Sequence, residues 1–403
     1  MKNFIFISPA FPRNYENFCV ALKENGVNVL GIGDTPYELL SDCLKNTLTE
    51  YYKVDNMEDY EEMFRAVAFL SFSHGKIDWL ESNNEYWLEQ DAKLREDFNI
   101  PGLHPKDMTP IKYKSEMKAG YKKAGVPTAR HHLVSDLKAA LTFVKEVGYP
   151  VIVKPDCGVG ASDTWKIHNE QELKSFYCNL PHAQYIMEEF VPGEICSYDA
   201  IINSKGTVLF ETGNITPLSI MDCVNAHEDA IRFFIVDKVA EDLAEYGRAC
   251  VKAFKIRSRF VHLEFFRLTE DHDYLGKKGQ VVALEVNMRP SGGPTPDMVN
   301  YAYSTNCYQH WADMMVFDKL QHVSKSTPCF CAFVGRWKEV SYAHSHEDII
   351  HTFKTSLKAA TELPEVLAHG MGNFMYIAKL ETVEAREEFF RYVLEETTPG
   401  TAE

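Results

Sequence analysis

The sequence predicts a multidomain chain, α/β at its start and α+β beyond. Residues 1 to about 100 alternate strand-like and helix-like segments, the pattern of a Rossmann-like parallel sheet with helices on both faces. From about 106 to 320, strands ending in a lysine or carrying single acids are separated by helices and small-residue loops. From about 325 to 396, two strands and two helices read as a small α+β cap. With Pro101-Gly102 and Pro105 as a break, the expected domains are 1–105, 106–200, 201–320 and 321–403.

Composition sets the outer limits. The 403 residues, 45% hydrophobic and 25% charged, suit a soluble globular protein with a large core. No apolar run approaches the length of a membrane span. The N-terminus, MKNFIFISPAF, reads as a first strand and not a signal peptide, because its apolar run is short and prolines follow. A net charge of −16 argues against a nucleic-acid partner. The 10 cysteines lack Cys-x-x-Cys pairs and are expected to be reduced thiols of a cytoplasmic protein.

In order, Phe4–Ser8 is a strand, Asn14–Asn25 a helix closed by Gly26, and Val27–Ile32 a second strand. Met57–Phe72 is a helix, Ile77–Leu80 a short strand, and a long helix runs to Phe98. Ligands of such sheets sit at the carboxyl ends of strands. That makes Ser8 to Asn14, Asp34 and Glu81 to Glu85 candidates, although each also reads as a turn or cap group. No Gly-x-Gly-x-x-Gly follows the first strand, so dinucleotide binding is not predicted.

Ile111–Ala124 is a basic helix, most of whose lysines are expected to be solvated. Ser135–Val147 is an amphipathic helix with Ser135 as its N-cap. Val151–Val153 is a buried-type strand with Lys154 at its end, followed by the small loop Asp156 to Ser162. A cation beside free backbone N–H groups suits a phosphate, although short glycine loops are also common in hairpins. Gln184–Asp199 reads as two strands around Pro192-Gly193, with Glu188, Glu189 and Glu194 at the turn. Backbone there could pair with a base edge; the competing reading is a surface hairpin with acidic ends.

Thr207–Gly213 is a strand, and Asn214–Asp229 a long loop of the kind that serves as a lid. Val236–Phe254 is a helix, Arg259–Leu268 a strand, and Tyr303–Phe317 a helix. The last unit has strands Pro328–Val334 and Gly372–Leu380 and helices His346–Ala359 and Val383–Leu394.

The most telling stretch is LEVNMRPSGG, Leu284 to Gly293. On a strand, Glu285, Asn287 and Arg289 point to one face. A carboxylate and an amide oxygen suit Mg²⁺, and arginine suits a phosphoryl or carboxylate group. The competing reading is a strand with a polar outer face. Glu264, flanked by Leu263, Phe265 and Phe266, favours the metal reading, because a buried carboxylate must be paired or metal-bound.

Taken together, the helix lysine before Gly-Val-Pro, the strand-end lysine before a small loop, the acidic turn and two acid-bearing strands ending in Glu-x-Asn-x-Arg resemble the ATP-grasp superfamily. The nearest likeness is to the carbamoyl-phosphate-synthetase, biotin-carboxylase and L-amino-acid-ligase group, from about Pro101 to Ala312, with a preATP-grasp domain before it. The resemblance implies ATP and a pair of divalent ions, Mg²⁺ or Mn²⁺, as ligands. It implies that Lys114, counted back from Gly125-Val126-Pro127, and Lys154 meet phosphates, with Gly158, Gly160 and Ser162 in the loop over the γ-phosphate. Glu188, Glu189, Phe190 and Val191 would form the adenine linker. Glu194 would hold the ribose, although Ile195 takes the place two residues after the glycine that this glutamate has in many relatives. Glu264, Glu285 and Asn287 would bind metal, and Arg289 would steady the transferred phosphoryl group. The implied activity is ligation of a small-molecule carboxylate to an amine through an acyl-phosphate, with carboxylation of bicarbonate chemistry or an idle nucleotide site as alternatives. Relatives are often homodimers.

Overall fold

The structure, a computed structural model, describes residues 1–158, 163–180, 182–217, 231–321 and 326–397. Among them no helix is long and apolar enough to cross a membrane. The nine cysteines described are all free, Cys329 and Cys331 included.

The N-terminal sheet is parallel, in the order β3-β2-β1-β4, with β1 Asn3–Ile7, β2 Asn28–Gly33, β3 Glu50–Lys53 and β4 Trp79–Glu81. Helices α1 (Glu16–Glu24), α2 (Asp42–Thr47), α3 (Tyr60–His74) and α4 (Leu88–Asp97) connect the strands. One face, with Ile5, Ile7, Leu30 and Ile32, packs under Leu70 and Leu94 of α3 and α4. The other face, with Phe4 and Phe6, shares a core with Phe18 of α1 and with Trp311. Trp311 stands on the helix Cys307–Phe317, far along the chain, and its ring centroid is 5.6 Å from that of Phe4. The N-terminal sheet is thereby fused to the rest of the molecule.

A second sheet, antiparallel, runs β5-β8-β6-β7, with β5 His131–Leu133, β6 Val151–Pro155, β7 Trp165–Ile167 and β8 Tyr185–Glu189. In the chain, α5 (Thr109–Lys112) and α6 (Lys114–Ala124) come before this sheet and pack in the core of the third one, and the expected basic helix is broken at Tyr113, whose ψ of 118° is extended. Helices α7 (Leu137–Val147) and α8 (Glu170–Cys178) supply Val144 and Phe176 to the lobe's core. The cap of α7 is Asp136 and not Ser135: its carboxylate accepts from Ala139 N at 2.9 Å.

The third sheet is antiparallel throughout and has eight strands, β13-β12-β9-β10-β11-β14-β16-β15. They are β9 Gly193–Ile202, β10 Val208–Thr216, β11 Arg232–Ile235, β12 Arg259–Leu268, β13 Val281–Asn287, β14 Phe330–Arg336, β15 Leu357–Glu362 and β16 Phe374–Leu380. The strands of the last unit therefore extend the same sheet as β12 and β13. Two expectations are corrected here. The segment expected as one helix from His346 to Ala359 stops at Thr352, and the edge strand β15 begins at Leu357. The expected acidic hairpin is no hairpin: β8 and β9 belong to different sheets, so Phe190–Pro192 is the connection between two lobes. Of the expected loop Asn214–Asp229, Asn214–Thr216 close β10 and residues 218–230 lie outside the described ones.

Close packing behind β9 gives a stability prediction. A Cβ at Gly247, on the helix Glu241–Ala253, would lie 2.2 Å from Cγ of the fully buried Tyr198 ring. Gly247→Ala should destabilise the protein by about 1–3 kcal/mol through overpacking, against a helix-propensity gain of about 1 kcal/mol. A urea midpoint equal to or above wild type would contradict this packing.

Candidate nucleotide and metal site

The site begins with strand register. In β12 and β13, Glu264 lies opposite Glu285 and His262 opposite Asn287. In β9 and β12, Ser197 lies opposite Glu264 and Asp199 opposite His262. Directly opposed residues share a face, so all six polar side chains stand on one side of the sheet. The alternate positions Leu263, Phe265 and Val286 are core. Apolar burial of one face thus fixes the polar set on the other.

This face is densely hydrogen-bonded. His262 Nδ1 lies 2.6 Å from Asp199 Oδ1, and its Nε2 2.8 Å from Glu264 Oε1. Ser197 Oγ donates to Asp199. Burial works against charge on His262, but the two flanking carboxylates prevail and raise its pKa to about 9. Burial likewise opposes charge on Glu264, yet His262, Arg289 and Lys154 together hold its carboxyl below the usual range. A raised histidine pKa adds stability that is fully present below about pH 6.5 and is lost as pH rises through about 9. Without divalent metal, wild type should exceed His262→Gln in unfolding free energy by roughly 3 kcal/mol more at pH 6 than at pH 9.5. Urea titrations of both proteins at both pH values check this; a pH-independent difference would contradict the ion-pair geometry.

The second set of charges comes from the four-stranded sheet and α6. Lys154 Nζ is 2.6 Å from Glu188 Oε2, and Lys118 Nζ bonds to the other carboxylate oxygen. Lys118 also donates to Thr128 Oγ1 at 3.0 Å. Burial disfavours the charge on Glu188, but the two lysines hold its pKa far below the ordinary carboxylate value. Burial lowers Lys118; on Lys154 burial is outweighed by Glu188 and Glu285, so its pKa rises. Lys114 Nζ, at the start of α6, lies 3.2 Å from Glu285 Oε1 on β13. Its helix is anchored on the loop after β6: Lys114 N donates to Asp156 O at 2.9 Å, and Ser115 N and Oγ donate to the Asp156 carboxylate at 2.8 Å each.

The remaining expected residues fall as follows. Gly158 stands beside Lys114, its carbonyl 3.4 Å from Nζ, while Gly160 and Ser162 lie outside the described residues. Glu189 is buried and takes Arg130 N at 2.7 Å and Arg130 Nη2 at 2.6 Å. Phe190 is half-buried with Lys166 Nζ 4.3 Å from its ring centre, and Val191 packs against Leu268 and Val282. Glu194 stands one residue into β9, at the mouth of the connection between the lobes. It is exposed, opposite Arg267, and strand alternation turns it to the other side of the sheet from Ser197 and Asp199; Ile195 has the parity of the polar face. Arg289 lies two residues past β13 and donates to Pro290 O at 2.8 Å.

The expectation that most lysines of 111–124 are solvated is also corrected. Lys112, Lys114 and Lys118 are buried and paired with acids; Lys122 and Lys123 are exposed. Sequence reasoning missed Lys118, although it stands one helical turn from Lys114. It also missed His262, two residues before Glu264 on the same strand. Asp199 and Ser197 carry no local signal, because their role depends on β9–β12 register.

Chemically, the face offers hard oxygens. Glu264 and Glu285 stand opposite each other and remain 27% and 22% exposed at their side chains, with Asn287 diagonal to Glu264. Among the described residues no three His, Cys, Asp or Glu side chains form a metal cage by themselves. Two carboxylates and an amide fit Mg²⁺, which takes few protein ligands and fills its shell with water and phosphate oxygens.

Residues 113–185 match the family model of the carbamoyl-phosphate synthase L chain, ATP binding domain. The chain is 22% identical over 274 residues to an L-arginine-specific L-amino acid ligase of Bacillus subtilis, covering 66% of this chain and 64% of that one, just under two thirds of the relative's length. An L-amino acid ligase from Bacillus licheniformis superposes with a TM-score of 0.70 at 16% identity, over 97% of this chain and 96% of that one. The biotin carboxylase domain of Hydrogenobacter thermophilus 2-oxoglutarate carboxylase, a dimer solved with MgADP, ADP and bicarbonate, superposes with a TM-score of 0.69 at 15% identity, over 97% of this chain and 88% of that one. A backbone shared along nearly its whole length with these enzymes, around a segment that matches an ATP-binding domain, gives this chain the ATP-grasp fold.

Proposed function

We propose that the protein is an ATP-dependent, ADP-forming carboxylate–amine ligase. The observation that carries this reading is the 3.2 Å approach of Lys114, on the helix anchored to the loop after β6, to Glu285 on β13, which sets a cation beside the paired carboxylates. In it, Lys114 and Lys154 bind the phosphates of ATP, with the loop 158–162 above them. Glu188 to Val191 meet adenine with their backbone, beside the apolar Ile152 and Ile186, which share a face with Lys154. Glu264, Glu285 and Asn287 hold two Mg²⁺ or Mn²⁺ ions. Those ions supply positive charge that draws nucleotide and carboxylate together.

Arg289 steadies the phosphoryl group as the carboxylate oxygen attacks the γ-phosphorus, and ADP leaves. The amine then displaces phosphate from the acyl-phosphate, forming an amide. Every role assigned to the chain is binding, orientation or charge stabilisation, so no protein nucleophile is required. The segments 1–105, 106–200, 201–320 and 321–403 serve as preATP-grasp domain, small lobe, large lobe and cap, with β9, Gly193–Ile202, counted in the large lobe whose sheet it joins and the cap contributing three strands to that same sheet. Free thiols fit a reducing cytoplasm, and a homodimer, checked by sedimentation, is the expected assembly.

The test is a hydroxylamine trap with Mg-ATP and pools of amino acids, small organic acids and bicarbonate, reading ADP and hydroxamate. Hydroxamate in one pool supports the ligase and gives the carboxylate class. ADP that depends on bicarbonate without hydroxamate would replace it with a carboxylase. Nucleotide binding without either product would overturn it.

A further inference from the structure

Beyond the nucleotide and metal face, Asn83 stands out among the described residues as a side chain with both of its polar atoms buried and unpaired. Asn83 is fully buried, and neither its Oδ1 nor its Nδ2 has a hydrogen-bond partner. Leaving both ends of an amide dry and unpaired is costly, and native proteins keep such groups where something else uses them. Its backbone is also unusual: φ is +54°, in the left-handed region, just past the end of β4. Ser8, just past the neighbouring strand β1, has φ +56°. Two adjacent parallel strands therefore leave the sheet at their carboxyl ends through left-handed residues, where sheets of this kind take ligands.

Nothing local accounts for the side chain. The backbone of Asn83 is already held, its N–H by Glu81 Oε1 at 3.2 Å and its carbonyl by the Tyr15 hydroxyl at 2.9 Å. These contacts fix the residue and leave the amide free. The surroundings converge on Arg289. Asn14 donates to Gly293 O at 3.0 Å, tying the loop after β1 to the loop after β13. Met288 N donates to Glu85 Oε2 at 3.2 Å, tying the loop after β4 to the same place. Burial raises the Tyr15 pKa, and the positive charge of Arg289 is near enough to oppose it. The carboxyl ends of β1, β4 and β13 thus meet through their loops, with Asn83 held at the meeting point by Tyr15.

Resting on the ligase reading, we infer that Asn83 is a specificity residue for the carboxylate substrate. With the reacting carboxylate at Arg289, the amide of Asn83 takes a second polar group of the same molecule. An amide both donates and accepts, so the class indicated is a small carboxylic acid carrying an amino, hydroxyl or carboxamide group, and not a plain fatty or aromatic acid.

The test compares wild type with Asn83→Gly and Asn83→Asp. Glycine accepts the positive φ without strain, so Asn83→Gly deletes the amide alone. Hydroxamate formation is measured with Mg-ATP, hydroxylamine and each acid of the active pool, alongside MgADP affinity and melting temperature. The expected result is a KM for the carboxylate raised at least about tenfold in Asn83→Gly, with MgADP affinity unchanged and a melting temperature no lower than wild type. Asn83→Asp should shift preference toward acids whose second group is a donor only. Unchanged KM in both variants overturns the inference while leaving the ligase standing. A melting temperature several degrees lower in Asn83→Gly also overturns it, because the amide would then be serving the fold through a buried water. Wild type that forms no hydroxamate from any pool overturns the ligase reading and this inference with it.

Discussion

Glu285→Gln should reduce ADP formation by about 10³-fold, the scale seen when one group that stabilises transition-state charge is removed. The carboxylate has two tasks in this account. It faces Glu264 across the β12–β13 pair, and it lies 3.2 Å from Lys114. The amide of glutamine keeps the shape and loses the charge that would attract metal. Asn287→Ala should fall in the same range, since it deletes the third oxygen donor of the set. Neither change should unfold the protein: the Glu285 side chain is 22% exposed, and both residues lie at the end of a strand whose opposite face is packed. Steady-state ADP release over a Mg²⁺ titration, with circular dichroism as the folding control, checks this. Full activity in either variant would remove the metal assignment.

The second large effect is on stability. Glu188→Leu leaves Lys118 and Lys154 facing each other in the interior without their shared counter-charge. Losing one member of a buried ion network typically costs about 3–5 kcal/mol, because what remains is uncompensated charge. The urea midpoint should fall accordingly. A triple variant with Lys118→Met and Lys154→Met should recover most of the loss, since apolar replacements remove the stranded charges. Lys154→Met alone should behave differently. Glu188 keeps Lys118, so the lobe remains folded, and the deficit appears as weaker MgADP binding. Equal stability in Glu188→Leu and wild type would mean that these charges are not buried together.

How much of this was legible in the sequence follows from which signals are local. The strand Arg259–Leu268 and the helix Val383–Leu394 were predicted with the bounds observed, because apolar patterning carries both. Glu264 and Glu285 were singled out as acids on apolar strands, and register brings them face to face. The edge strand β3, Glu-Tyr-Tyr-Lys, is half-exposed and polar, and gave no periodic signal. The sequence pattern carries the helix on through Leu357–Ala359, the first half of β15, because an edge strand leaves no buried alternation to detect.

On sequence alone Glu188 fits a surface hairpin as well as a linker, because its burial depends on lysines 70 and 34 residues earlier in the chain, Lys118 and Lys154. Asp199 and His262 meet only through pairing of β9 with β12. Glu194 is placed by the parity of β9, which sets it on the opposite side of the sheet from Ser197 and Asp199, and that parity follows from pairing with β12. Asn83 lay within the candidate stretch Glu81 to Glu85, and only the folded structure separates it from Glu81, which is consumed by ion pairs to Arg95 and Arg259.

The most direct test of the account follows an oxygen atom. The carboxylate identified by the hydroxylamine screen would be labelled with oxygen-18 in its carboxyl group and turned over with Mg-ATP and an amine, and the released phosphate analysed by mass spectrometry. Attack of the carboxylate on the γ-phosphorus predicts one labelled oxygen in each phosphate released with the amide. Amide and ADP formed with unlabelled phosphate, or label found in AMP, would contradict the acyl-phosphate on which the whole reading depends.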